Sequence, residues 1–158
     1  MESWGDVHWT LDNGWYLFPD SAPVLYPHPA GGAFVFAVYR RKGNARWVLR
    51  WRDSANYLLF ELDKNAFHRK QASGGTIREL ATIHRQTMEK MMTIKIEVSN
   101  RSVKHSVWAN GDWSLLDNWE DPTGDFTGGK FGFWPASRQG IGISNFKFTG
   151  VSPGKLPG

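Results

Sequence analysis

Apolar and polar side chains alternate along this chain in short runs, the period of a half-buried β-strand. Phe34 to Arg40 puts Phe34, Phe36 and Val38 on one face. Thr93 to Val98 sends Ile94, Ile96 and Val98 one way and Lys95 and Glu97 the other. Trp47 to Asp63 reads as a strand pair around the turn formers Asp53-Ser54-Ala55-Asn56. In its first strand Trp47, Leu49 and Trp51 share the core face, opposite Arg46, Val48, Arg50 and Arg52. In its second, Leu58, Phe60 and Leu62 point inward, and Tyr57, Leu59, Glu61 and Asp63 point outward.

The remaining runs fit the same scheme. Trp9 to Leu11 and Trp15 to Phe18 flank an Asp12-Asn13-Gly14 turn. Four prolines between Pro19 and Gly32 make that stretch a loop or an edge segment. Phe67 to Lys70, Val103 to Trp108, Phe131 to Trp134 and Ile141 to Phe148 read as further strands, and Asn110-Gly111 as a turn. Trp113 to Asp125 reads as an acidic loop. Thr76 to Thr87 is open, because Ile77, Leu80, Ala81 and His84 form a helical stripe while Thr76, Ile77, Thr82 and Ile83 favour a strand. Many short strands with frequent turns predict an all-β antiparallel sandwich with little or no helix. Residues 1–149 form one domain in this reading, and 150–158 a Pro/Gly-rich tail or linker to the rest of a larger protein.

Composition narrows the class. With 158 residues, 41% hydrophobic and 22% charged, the chain is long enough to bury a core and too apolar for disorder. Net charge is +4, but it is divided: Lys64 to Lys104 holds nine Lys or Arg against three acids, and His105 to Gly129 holds five acids and no Lys or Arg. There is no cysteine, so thiolate and disulfide chemistry are excluded. No apolar run approaches the roughly 20 residues of a membrane helix, so membrane insertion is not expected. The five histidines lack zinc spacing. Lys130-Phe131-Gly132-Phe133 lacks the glycine placement of an RNA-recognition motif, so nucleic acid is not an expected partner.

The succession TIKIEV, VKHSVWANG, GGKFGFW and GISNFKF resembles the concanavalin A-like lectin and glucanase jelly roll. Within that superfamily the likeness is to the 3-keto-disaccharide hydrolase family and laminin G-like bacterial modules. Asn110-Gly111, Lys130-Phe131-Gly132-Phe133 and Ile143-Ser144-Asn145-Phe146 carry it, over about residues 30–149. The resemblance implies a strand over Ile77 to Thr87, a curved sheet whose concave face holds saccharides, and an extracytoplasmic or cell-surface setting. The chain departs from it where Asp53-Ser54-Ala55-Asn56 replaces an Asn-Ser-Gly turn.

Saccharide recognition uses aromatic faces for stacking and charged or amide groups for directional hydrogen bonds. Arg50, Arg52, Tyr57, Glu61, Lys95 and Glu97 supply the polar candidates, and Trp108, Trp113, Trp119 and Trp134 the aromatic ones. Carbohydrate is therefore the expected partner of a non-catalytic module, with other domains of a parent protein beside it; a structural or protein-docking domain is the non-enzymatic alternative. The enzymatic alternative is glycoside cleavage by Glu61 and Asp63, which needs carboxylates about 5–10 Å apart. The neighbouring arginines suit ion pairs better than a general acid. No cofactor is expected; the metal alternative is calcium held by Asp117, Glu120, Asp121 and Asp125.

Overall fold

The computed structural model describes residues 9–18, 21–29, 31–84, 89–99, 101–122 and 129–150, and these are entirely strands and turns. The strands are β1 (Thr10–Asp12), β2 (Trp15–Leu17), β3 (Val24–Pro29), β4 (Gly32–Arg40), β5 (Ala45–Asp53), β6 (Asn56–Leu62) and β7 (Ala66–Ser73). Then follow β8 (Thr76–His84), β9 (Met91–Val98), β10 (Ser102–Ala109), β11 (Asp112–Glu120), β12 (Lys130–Phe133) and β13 (Ile141–Gly150). They form a seven-stranded sheet, β1-β2-β13-β4-β9-β10-β11, and a six-stranded sheet, β3-β12-β5-β6-β7-β8. Every pairing is antiparallel. Among the described residues no helix is long and apolar enough to cross a membrane.

The predicted alternation places the core. Phe34, Phe36, Ile94 and Ile96 of the seven-stranded sheet meet Trp47, Phe60, Phe67 and Phe131 of the six-stranded sheet, all fully buried. Each contributes roughly 2 kcal/mol relative to an exposed side chain. Phe34 stacks on Phe131 with ring centroids 4.3 Å apart, and Phe36 meets Trp47 edge-on at 5.5 Å. The stretch open between helix and strand is β8 as far as His84, an edge strand continuing the β7 hairpin through Gly74-Gly75, and residues 85–87 lie outside the described residues. Its Ile83 packs on the core, while Ile77 stays exposed. The proline-rich segment is β3, also at an edge, where a missing amide donor costs no ladder bond. Of the expected tail 150–158, Gly150 ends β13 and residues 151–158 lie outside the described residues.

Two expectations are corrected. Asp112–Glu120 is a strand rather than an acidic loop: Asn110-Gly111 turns the chain back so that β11 pairs along β10. Its Leu116 is buried in the core, and Trp119 packs against it. The phase of β5 also reverses midway. Arg50 has φ 53, and the pairing of β5 with β6 and β12 shifts register around it. The extra residue sends the Arg50 side chain into the sandwich, 2% exposed, where Nη1 lies 3.4 Å from Asp121 Oδ2. Trp51 thereby leaves the core face and stacks on Tyr57 outside it, with centroids 4.9 Å apart.

Candidate functional site

The outer face of the seven-stranded sheet carries a trough built by register. Ser144 of β13 faces Ala37 of β4, and Ala37 faces Thr93 of β9. Val107 opposite Ile94 puts Trp108 beside Thr93, and Trp108 faces Trp113 of β11. At the other side, Tyr16 opposite Ile143 sets Trp15 of β2 beside Ser144. One row across the sheet therefore reads Trp15, Ser144, Ala37, Thr93, Trp108, Trp113. Small side chains form the floor, and tryptophans stand at both sides.

From β2 to β10 the row crosses four strand spacings, about 19 Å. The depression beside it has a volume of about 560 Å³, with Trp15, Ala37, Met91, Thr93, Trp108 and Asn110 in its lining. Trp108 is 49% exposed and Met91 55%, a large apolar surface to leave wet. Neighbours fix the tryptophans. Trp15 packs on Tyr39 at 5.5 Å, and Trp108 meets Trp113 edge-on at 5.2 Å. Lys95 Nζ sits 4.6 Å from the Trp113 ring centre and 3.8 Å from Glu97 Oε1.

A second depression of about 470 Å³ lies farther along the same face, where the floor is again small at Ala33 and Thr149. Glu97, Lys104, Asn118 and Glu120 border it, donors and acceptors of both signs. One end of the face is thus aromatic and the other polar.

The predicted site residues are divided by the sandwich. Lys95, Trp108 and Trp113 come together on this face, with Glu97 beside them. Tyr57, Glu61 and Trp134 lie on the opposite side, the outer face of the six-stranded sheet. There Tyr57 is 3% exposed beneath Trp51 and Trp134, closing a small second core over Val48 and Leu59. Arg46 holds Trp134 by donating Nε to its carbonyl at 3.0 Å while lying over its ring at 5.1 Å. Arg52 is exposed at the end of the β5–β6 hairpin, away from both grooves. Arg50, expected on the outer face, is buried with Asp121 and is removed from it.

Each candidate carboxylate is held by a cation. Glu61 Oε1 accepts from Lys70 Nζ at 3.0 Å. Asp63 lies past the end of β6, in the turn to β7, not on the strand face predicted for it. Its Oδ1 accepts the amides of Asn65 and Ala66, and its Oδ2 meets His68 Nε2 at 2.7 Å. The acids of the calcium alternative are also separated. Asp117 turns into the sandwich 3.7 Å from Arg69, Asp121 pairs with Arg50, and exposed Glu120 lies on the outer face. Asp125 lies outside the described residues. Among the described residues no three His, Asp or Glu side chains gather as metal ligands. Trp119 is half-buried against the core, beside the guanidinium groups of Arg50 and Arg69, and borders a separate depression with Gln71 and Arg78.

Sequence reasoning missed Trp15, Ala37, Thr93 and Ser144. The signal available was a set of small residues at outward strand positions; which of them align across strands is fixed by register alone.

Two antiparallel sheets in this order define a concanavalin A-like jelly-roll sandwich, and known structures share it. The carbohydrate binding module CBM66 from Bacillus subtilis superposes with a TM-score of 0.65 at 16% identity, over 89% of this chain and 90% of that one. A candidate glycosyl hydrolase from Parabacteroides distasonis gives 0.61 at 12% identity, over 90% of each chain. The Caenorhabditis elegans galectin LEC-6 gives 0.57 at 12% identity, over 89% of this chain and 99% of that one. At these identities the likeness is one of fold. No protein-family model and no curated sequence matches the chain.

Proposed function

We propose that this chain is a non-catalytic carbohydrate-recognition module that holds its saccharide in the tryptophan-walled trough. The observation that carries the reading is the row Trp15–Ser144–Ala37–Thr93–Trp108–Trp113. It combines a floor low enough to admit sugar rings with aromatic walls able to stack on them. Asn110 at the trough and Glu97, Lys104 and Asn118 farther along supply hydrogen-bonding groups for hydroxyls. The fold shared with a carbohydrate binding module and a galectin supports the same reading. Glu89 is the sole carboxylate among the described residues lining the trough, which favours recognition over two-carboxylate cleavage.

A glycan array followed by calorimetry on the full chain tests it. Trp108→Ala is expected to weaken the best saccharide about tenfold or more, ~1.4 kcal/mol or above, with the melting temperature unchanged. An array without a single saturable ligand, or a Trp108→Ala protein that binds like the parent, refutes the assignment.

A further inference from the structure

Where β4 turns into β5, at one end of the sandwich, a pocket of about 630 Å³ opens between that turn, the β6–β7 turn and the segment entering β9. Four permanent cations border it: Arg40, Arg41, Lys64 and Lys90. A single carboxylate in its lining, Asp63, faces them, and it is already engaged by two amides and by His68. Backbone carbonyls orient the arginines. Arg40 Nη2 donates to the Glu89 carbonyl at 3.2 Å, and Arg41 Nη1 to the Gln139 carbonyl at 3.0 Å. A carbonyl orients a guanidinium without cancelling its charge, and the Asp63 carboxylate offsets the Arg40 charge only in part. Arg40 is 8% exposed, so water screens that charge poorly. Lys64 and Lys90 are exposed and form no ion pair with a described residue.

A flat patch of lysines would be a solvated surface. Here two positioned arginines and two exposed lysines converge on a concave volume, which focuses positive potential on whatever enters. We propose that this pocket binds an anionic group, a carboxylate, sulfate or phosphate, through charge-assisted hydrogen bonds from Arg40, Arg41, Lys64 and Lys90.

The same chemistry has two sources. Glu89 and Met91 line the trough while Lys90 between them lines this pocket, so the two sites share a rim. The anion is either free, or an acidic substituent on a saccharide lying in the trough; the second source rests on the carbohydrate reading.

Calorimetric titration of the full chain with inorganic phosphate, inorganic sulfate and glucuronate, and with glucose as the uncharged control, tests the pocket. Saturable binding of at least one anion is expected, and any response to glucose should be the same in the parent and in the variant without the two pocket lysines. The Lys64→Ala/Lys90→Ala double variant should bind that anion about tenfold more weakly, ~1.4 kcal/mol. Trp108→Ala should leave anion binding unchanged, so failure of the trough reading leaves this result standing. An acidic oligosaccharide that binds better than its neutral counterpart, and loses the advantage in the double variant, identifies the saccharide source. Equal binding of the two, with the phosphate or sulfate response retained, identifies the free anion. Absence of saturable anion binding, or equal affinity in the double variant, overturns the proposal.

Discussion

Trp47 Nε1 donates to Nε2 of His105 across 2.9 Å and joins the two sheets through the middle of the core. Trp47 belongs to β5 and His105 to β10, and both are fully buried. The bond makes Nε2 the acceptor, so the neutral imidazole carries its proton on Nδ1. Burial, with the nearby Arg69 charge as a smaller cause, pushes the His105 pKa down to about 3.

The sign of the pH effect follows. The folded pKa lies below the unfolded value, so the contribution of His105 is complete above about pH 6.5 and is lost as pH falls toward about 3. Over that window the unfolded chain takes up the proton first, at about 1.4 kcal/mol per pH unit. Urea unfolding from pH 7 to 4 should show this acid limb. His105→Gln, which keeps an acceptor for Trp47 and cannot titrate, should flatten it. An unchanged slope in the variant would contradict the neutral buried imidazole.

His68 should act in the opposite sense. Its ring is clamped between Asp63 Oδ2 at 2.7 Å and Glu79 Oε1 at 2.6 Å. Burial opposes protonation, but the two carboxylates outweigh it and raise the pKa above 6.5. The stabilisation is fully present below that value and is lost as pH rises through the raised one. The carboxylate pKa values are lowered in return. Asp63 gains more from its hydrogen bonds than burial removes, and Glu79 is held first by Thr82 and then by His68. An NMR titration should place His68 above 6.5, and His68→Asn should remove the decline in stability toward pH 8. A His68 midpoint below 6.5 would show that the clamp does not hold the imidazolium.

The reversal at Arg50 predicts two costly substitutions. Asp121→Ala leaves a guanidinium buried without this carboxylate and should cost about 3 kcal/mol. For a chain of this size that lowers the melting temperature by roughly 6–12 °C. Gly129, at φ 83, lies against the backbone of the same residue, where an added Cβ would stand 2.5 Å from the Arg50 carbonyl carbon. Gly129→Ala should therefore also destabilise, through both the contact and the left-handed backbone. Thermal melts of the two variants check this, and a Gly129→Ala protein that melts with the parent would place the kink elsewhere.

Alternation made the sandwich legible. Phe34, Phe36, Val38, Ile94 and Ile96 are inward as their spacing requires. Side-chain direction failed where a residue was inserted into the ladder. Nothing in RWVLRWRD marks Arg50 as left-handed, so its faces were exchanged beyond Leu49 and the expected polar surface lost its central arginine. The acids of β11 suggested a loop because their charge hid the packing of Leu116 and Trp119. The site was the least legible part. Residues 15, 37, 93, 108, 113 and 144 are neighbours through inter-strand register, a property of the pairing rather than of any one segment.

That register yields a test independent of removing an aromatic. Ala37 lies at the middle of the trough floor, flanked by Ser144 and Thr93, with its side chain on the outer face. Ala37→Trp should fill the trough while touching none of the buried core. Its effect on stability should stay within about 0.5 kcal/mol, as for surface substitutions generally. Saccharide binding should be lost, and the anion response of the cationic pocket retained. Val35 supplies the control, since it stands on the same strand and face, one row away and opposite Lys95. Val35→Thr should leave saccharide affinity within about twofold, ~0.4 kcal/mol. If Ala37→Trp binds as well as the parent, the ligand does not lie across this row and the trough is not the recognition surface.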